Sequence, residues 1–293
     1  MLFKTTAVIV YAAFFLAGCA TISGALDPQT KANQIADRAC FSKESIPTHI
    51  FKLAAYTRIK DPGKPLTVYI EGDGRAWLSR TRLASDPTPF HPLVLTLAAL
   101  DRSPNVVYLA RPCQYDSTAY EKPCESSYWS DRRFSEEVIA STDEAIDVLS
   151  KRVGASQINL IGYSGGGAVA VLVAARRHDI LSLRTIAGNL DHEAVNRRQG
   201  VSPLNGSLNA IDTAVQVSTI PQEHLVGAKD KIVPGSVAQD FARRANNPSC
   251  IKIIEIPEAS HSSGWVEAWP EILRRTPACK DGPNHSIPNL KSR

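Results

Sequence analysis

Three residues far apart in the chain have the types needed to move an acyl group: Ser164, Asp230 and His261. A serine hydroxyl is a poor nucleophile until a base takes its proton, and the base needs an acceptor that holds its ring in the useful tautomer. Ser164 stands in Gly162-Tyr163-Ser164-Gly165-Gly166, a G-x-S-x-G pattern between the apolar run "INLIG" and the run "GGGAVAVLVAA". A serine so placed sits on a sharp turn from strand to helix that lifts its hydroxyl above the sheet, and small neighbours keep that turn free of collisions. The helix that follows points its N-terminus at the site, where free N–H groups favour a developing negative charge.

The elements that must position these residues alternate along the chain. "PLTVYIEGDG" and "NVVYLARP" read as buried strands ended by glycine or proline, with "HPLVLTLAALDR" as a helix between them. "FSEEVIASTDEAIDVLSKRVG" has Ser135 as a possible N-cap, glutamates in the first turn and Gly154 as a stop. Strand "INLIGYS", its glycine-led helix and strand "LRTIAGNL" follow, and then an irregular stretch from Asp191 to Pro221. "QEHLVGAKD", "GSVAQDFARRANN", "CIKIIEIP" and "GWVEAWPEILRRT" complete the alternation, the last a helix interrupted or bent at Pro270. Such alternation predicts an α/β fold: a mostly parallel central sheet with helices on both faces, and ligands bound beyond the carboxyl ends of the strands. Ser164, Asp230 and His261 all lie at such ends. Of the seven histidines only His261, after the last strand and before the last helix, has the right topological place. Asp191, after the preceding strand, is the alternative acid, and the strand count favours Asp230.

With nucleophile, acid and histidine in the order Ser164, Asp230, His261, the chain resembles the α/β-hydrolase fold serine hydrolases over roughly residues 48–277. The resemblance implies attack by Ser164 on an ester, thioester or amide, proton transfer through His261, orientation by Asp230, and no metal or organic cofactor. It implies an oxyanion hole made by the N–H of Gly165 and a second donor after the third strand. That loop reads Glu71-Gly72-Asp73-Gly74-Arg75, where hydrolases of this fold often carry His-Gly, so Asp73 N–H is the first candidate and Gly74 N–H the second. The Asp73 carboxylate would oppose an oxyanion unless turned away or paired, with Arg75 or Arg111 as partner. Segment 191–221 is too short for a large helical cap. Residues 81–92 and the loop between Cys113 and Cys124 are expected to shape the pocket instead, with Trp77, Tyr115, Tyr128 and Trp129 as candidate lining.

The N-terminal "MLFKTTAVIVYAAFFLAGCA" sets Lys4 before an apolar run too short for a comfortable membrane span, as in a secretory signal. Its end, Leu16-Ala17-Gly18-Cys19, resembles the lipobox of bacterial lipoproteins, in which the cysteine is lipidated. The polar, weakly patterned residues 19–46 read as a tether with room for a short helix around Asn33 to Ala39, ahead of a hydrolase domain over 47–279 and a tail over 280–293 that reads as disordered. The lipobox resemblance implies a signal peptide over 1–18 and lipidation of Cys19. It implies an address in the cell envelope, and Ala20 favours the periplasmic face of the outer membrane. Export to an oxidising compartment favours disulfides. Cys113 and Cys124 bracket one short polar segment and are expected to pair, Cys250 with Cys279 is the more plausible second bridge, and Cys40 is left over.

A net charge of +4 without a basic stripe gives nucleic-acid binding little support. The expected partners are a small acyl substrate and, through the anchor, a membrane, with the chain acting as a monomer. Two other readings use the same scaffold: a lipid-anchored binding or assembly protein without turnover, and an acyltransferase that replaces water with another acceptor.

Overall fold

The computed structural model describes residues 27–115 and 123–280. The expected signal peptide, Cys19 and residues 281–293 of the tail lie outside the described residues.

Eight strands form one sheet: β1 (Ser42–Pro47), β2 (Lys52–Ile59), β3 (Leu66–Ile70), β4 (Asn105–Leu109), β5 (Ile158–Tyr163), β6 (Ile180–Ile186), β7 (Gln222–Gly227) and β8 (Ile251–Ile256). Their spatial order is β1-β2-β4-β3-β5-β6-β7-β8. β1 and β2 run antiparallel to their neighbours, and every pair from β4 to β8 is parallel.

β3 and β4 are buried at every position, which explains why they read as continuous apolar runs rather than alternating ones. The pleat still sorts them. Leu66, Val68, Ile70, Val107 and Leu109 face one core, while Tyr69, Val106 and Tyr108 face the other. The first core is closed by α3 (Glu136–Val153), α4 (Gly165–Ala174) and α6 (Gly235–Ala245). The second is closed by α1 (Pro28–Arg38), α2 (Leu93–Leu100) and α7 (Trp265–Leu273), which buries Trp265 and Trp269 and contains Pro270. All ten residues of α4 are buried, the pattern of a helix apolar on every side that lies inside a domain. α3 follows its sequence signals: Ser135 is extended at the N-cap, Glu136 and Glu137 occupy the first turn, and Gly154 ends it in the left-handed conformation.

The structure departs from the sequence reading in three places. The stretch 19–46, expected as a tether, carries α1 and β1 in its described part. α1 overlaps the short helix expected around Asn33 to Ala39 but begins earlier, at Pro28, and buries only Ala32 and Ala36; β1 buries only Ile46 and lacks the alternation that would announce it. The irregular stretch after Asp191 contains α5 (His192–Gln199), eight largely polar residues that bury Val195, and a short 3₁₀ turn at Ala210–Thr213. β6 begins at Ile180, ahead of the expected "LRTIAGNL", and ends before Ala187, whose φ of 47° leaves the extended conformation.

Disulfides join Cys113 to Cys124 and Cys250 to Cys279, both as expected, and Cys40 is free and exposed. The second bridge ties the entry of β8 to the chain after α7. Among the described residues no helix is long and apolar enough to cross a membrane.

Candidate active site

β5 delivers Ser164 at φ 50° and ψ −119°, a conformation that costs a non-glycine residue about 1–3 kcal/mol and survives only where its surroundings hold it. Those surroundings are close backbone contacts. A Cβ on Gly166 would overlap the carbonyls of Ile70 and Glu71, so only glycine lets α4 begin this near the end of β3. The Ser164 carbonyl accepts from Gly167 N–H (3.0 Å) and Asn189 N–H (2.9 Å), which fixes the turn from both sides.

His261 lies in the loop between β8 and α7. Its backbone carbonyl accepts from Tyr163 Oη and from Trp265 Nε1, each at 3.0 Å, so an elbow residue and the first residue of α7 hold the base together. Its Nε2 is 3.0 Å from Ser164 Oγ, and its Nδ1 is 2.9 Å from Asp230 Oδ2. Asp230 follows β7, and its other oxygen accepts from the N–H groups of Ile232 (2.8 Å) and Val233 (2.9 Å). Burial pushes the Asp230 carboxyl upward, but the hydrogen bond and charge of His261 and these two N–H groups outweigh it and hold it below the usual carboxylate value. With Asp230 ionised, Nδ1 carries the proton and Nε2 is left to accept from Ser164.

Asp191, the alternative acid, is occupied elsewhere. Its Oδ1 caps α5 by accepting from Glu193 and Ala194 N–H, both at 3.1 Å, and takes a third bond from Asn209 Nδ2 at 3.0 Å.

Gly165 is the first residue of α4, so its N–H has no partner within the helix. In the loop after β3, Glu71 N–H bonds to Leu109, Gly72 N–H to the Glu71 carboxyl and Arg75 N–H to Pro87. Among the described residues Asp73 and Gly74 N–H have no acceptor, which leaves these two, the pair expected from sequence, as the open donors of the loop. The Asp73 carboxylate lies against Gly165, where a Cβ would overlap it. It is paired with Arg111 Nη1 and with Arg133 Nη1, both at 3.2 Å. Arg111 matches the sequence expectation. Arg75 does not, because its guanidinium stacks over Phe90 instead, 4.4 Å from the ring centroid. Arg133 was not foreseen from sequence. It lies 60 residues beyond Asp73 in an irregular segment, and no spacing rule connects them.

Ser164 and His261 open into a cleft of about 880 Å³ whose walls include the loop after β3, residues 89–93 and one face of α1. Trp77 lines it and is 45% exposed, and the expected wall from residues 81–92 contributes Pro89 to Pro92. Trp129 and Tyr128 are packing residues instead: Trp129 donates to the Ala84 carbonyl, and Tyr128 meets Phe51 edge to face. Tyr115 packs on Tyr56 and Tyr108. Most of the Cys113–Cys124 loop lies outside the described residues. Glu71, at the end of β3, is buried with Tyr108 Oη donating to it at 3.0 Å. Burial pushes its carboxyl up to about 7, against the opposing pull of Gly72 N–H, Tyr108 and Arg111.

The strand order, the turn at Ser164 and the placement of His261 after the last strand define an α/β-hydrolase fold. Solved structures share it. Est1E from Butyrivibrio proteoclasticus, bound to ferulic acid, is 18% identical with a TM-score of 0.58, covering 79% of this chain and 96% of that one. The Pyrococcus furiosus esterase Pf2001 is 15% identical with a TM-score of 0.54, covering 80% and 90%. The 2,6-dihydroxy-pseudo-oxynicotine hydrolase is 16% identical with a TM-score of 0.57, covering 87% and 77%. No protein-family model matches the sequence, and no curated protein sequence matches it.

Proposed function

We propose that the chain is a serine hydrolase that cleaves a carboxylic ester, or a related thioester or amide, through an acyl-enzyme. The observation that carries this reading is the continuous relay from Ser164 Oγ through the His261 ring to the Asp230 carboxylate, at 3.0 and 2.9 Å. Esterases among the structural neighbours add weight to the choice of substrate. Ser164 Oγ attacks the carbonyl carbon as His261 Nε2 takes its proton. The oxyanion so formed is received by Gly165 N–H and by Asp73 or Gly74 N–H. Collapse breaks the bond to the leaving alcohol, which collects the proton from His261. Water then repeats the sequence against the acyl-enzyme and releases the acid. A fluorophosphonate probe is expected to label the native protein and not Ser164→Ala, and equal labelling of both would reject Ser164 as nucleophile.

The proposed setting is the bacterial envelope, with Cys19 lipidated and the domain beyond the cytoplasm. The two disulfides suit an oxidising compartment. Metabolic labelling with palmitate is expected in the native protein and lost in Cys19→Ser, and labelling retained in the variant would reject the anchor.

A further inference from the structure

The cleft beside Ser164 has an unbalanced charge. Lys31 and Arg38 enter it from α1, and Arg75 enters from the loop after β3. None of the three forms an ion pair among the described residues. Lys31 Nζ and the Arg75 guanidinium both lie over the Phe90 ring, 5.8 and 4.4 Å from its centroid, so one aromatic side chain gathers two cations. Arg75 Nε is shielded from water and has no hydrogen-bond partner. The two carboxyl groups of the cleft do not offset this charge. Asp73 is already shared by Arg111 and Arg133, and burial keeps much of Glu71 protonated near neutral pH.

Resting on the serine hydrolase reading, we infer that the substrate is an ester carrying a second, anionic group, which Arg75 and Lys31 receive beside Phe90. A cleft with low-dielectric walls and one sign of charge concentrates ligands of the opposite sign, and a carboxylate would satisfy the open guanidinium donors. Phe90, 39% exposed, and Trp77 offer apolar surface to the body of the same ligand. Arg75 and Lys31 thereby act as specificity residues, outside the bond-making step.

Two matched ester pairs test this: the 4-nitrophenyl monoester of succinate against its methyl ester, with the charge on the acyl side, and 4-acetoxybenzoate against its methyl ester, with the charge on the alcohol side. The native protein is expected to favour the anion in kcat/KM by about tenfold in one pair, the effect of one charge-assisted contact. That preference is expected to shrink in 0.5 M NaCl. It is expected to approach one in the Lys31→Gln, Arg75→Gln double variant and to persist in Arg75→Lys. Calorimetric binding of benzoate against benzamide reads the same preference without turnover. Preference for the neutral ligand throughout, or a preference untouched by the double variant, overturns the inference. Fluorophosphonate labelling without charge preference rejects the anion site and leaves the hydrolase, whereas charge-selective binding without labelling does the reverse.

Discussion

The two walls of the cleft are built on opposite principles. On the side of β5 to β8, Ser164, His261 and Asp230 form one chain of hydrogen bonds, and both oxygens of Asp230 are engaged. On the side of α1 and the loop after β3, Lys31, Arg38 and Arg75 face the same space, and among the described residues these three form no ion pair and Asp73 and Gly74 N–H have no acceptor. A wall with every bond made can hold a geometry, and a wall with open donors can receive a ligand. The difference teaches that positioning and recognition are assigned here to separate pieces of chain.

The sharpest way to break the comparison is to damage the first wall without unfolding it. Asp230→Asn keeps an oxygen for Ile232 and Val233 N–H, so the turn after β7 survives, but its amide can turn the imidazole to the wrong tautomer. The expected loss in kcat is about 10⁴-fold, as for an uncharged replacement of the acid in a triad. Asp191→Ala is the matched control. It removes the α5 cap at a stability cost of about 1 kcal/mol and leaves kcat near the native value. Ester kinetics and urea melts on both variants check this, and equal losses of kcat would dissolve the distinction between the two aspartates.

The same division decided what could be read from sequence. Ser164, Asp230 and His261 could be expected to meet because each follows an apolar strand, and a parallel sheet brings successive strand ends to one edge. The central strands β3 and β4 were legible because burial on both faces leaves them almost wholly apolar. Of α1 only the part after Asn33 was legible, as a short helix, since its two buried residues are alanines in a polar stretch, and the cations that α1 brings to the cleft were not. Arg133 escaped for another reason: its meeting with Asp73 depends on how an irregular segment folds back over the elbow. The misplacement of Arg75 is similar, because a guanidinium can stack on Phe90 as well as pair with the nearest carboxylate, and sequence does not rank the two. The open wall is assembled from contacts that carry no periodicity.

A smaller effect tests the seam between the walls, where Glu71 sits buried under the loop that offers Asp73 and Gly74. Its carboxyl has a folded value of about 7 against an ordinary 4.5. Above the ordinary value the unfolded chain releases this proton while the folded chain keeps it, so stability falls as pH rises. The fall continues until the folded group also ionises near 7 and is level beyond it, and a shift of this size corresponds to roughly 3 kcal/mol. Glu71→Gln retains an acceptor for Gly72 N–H and cannot ionise. Urea melts are therefore expected to give similar stabilities for native and variant near pH 4.5, with the variant ahead by up to about 3 kcal/mol at pH 8. Parallel pH slopes for the two proteins would mean that Glu71 ionises freely, through water or through Arg111. In that case Glu71 belongs with the closed, compensated wall, while Lys31, Arg38 and Arg75 remain the unpaired cations of the cleft among the described residues.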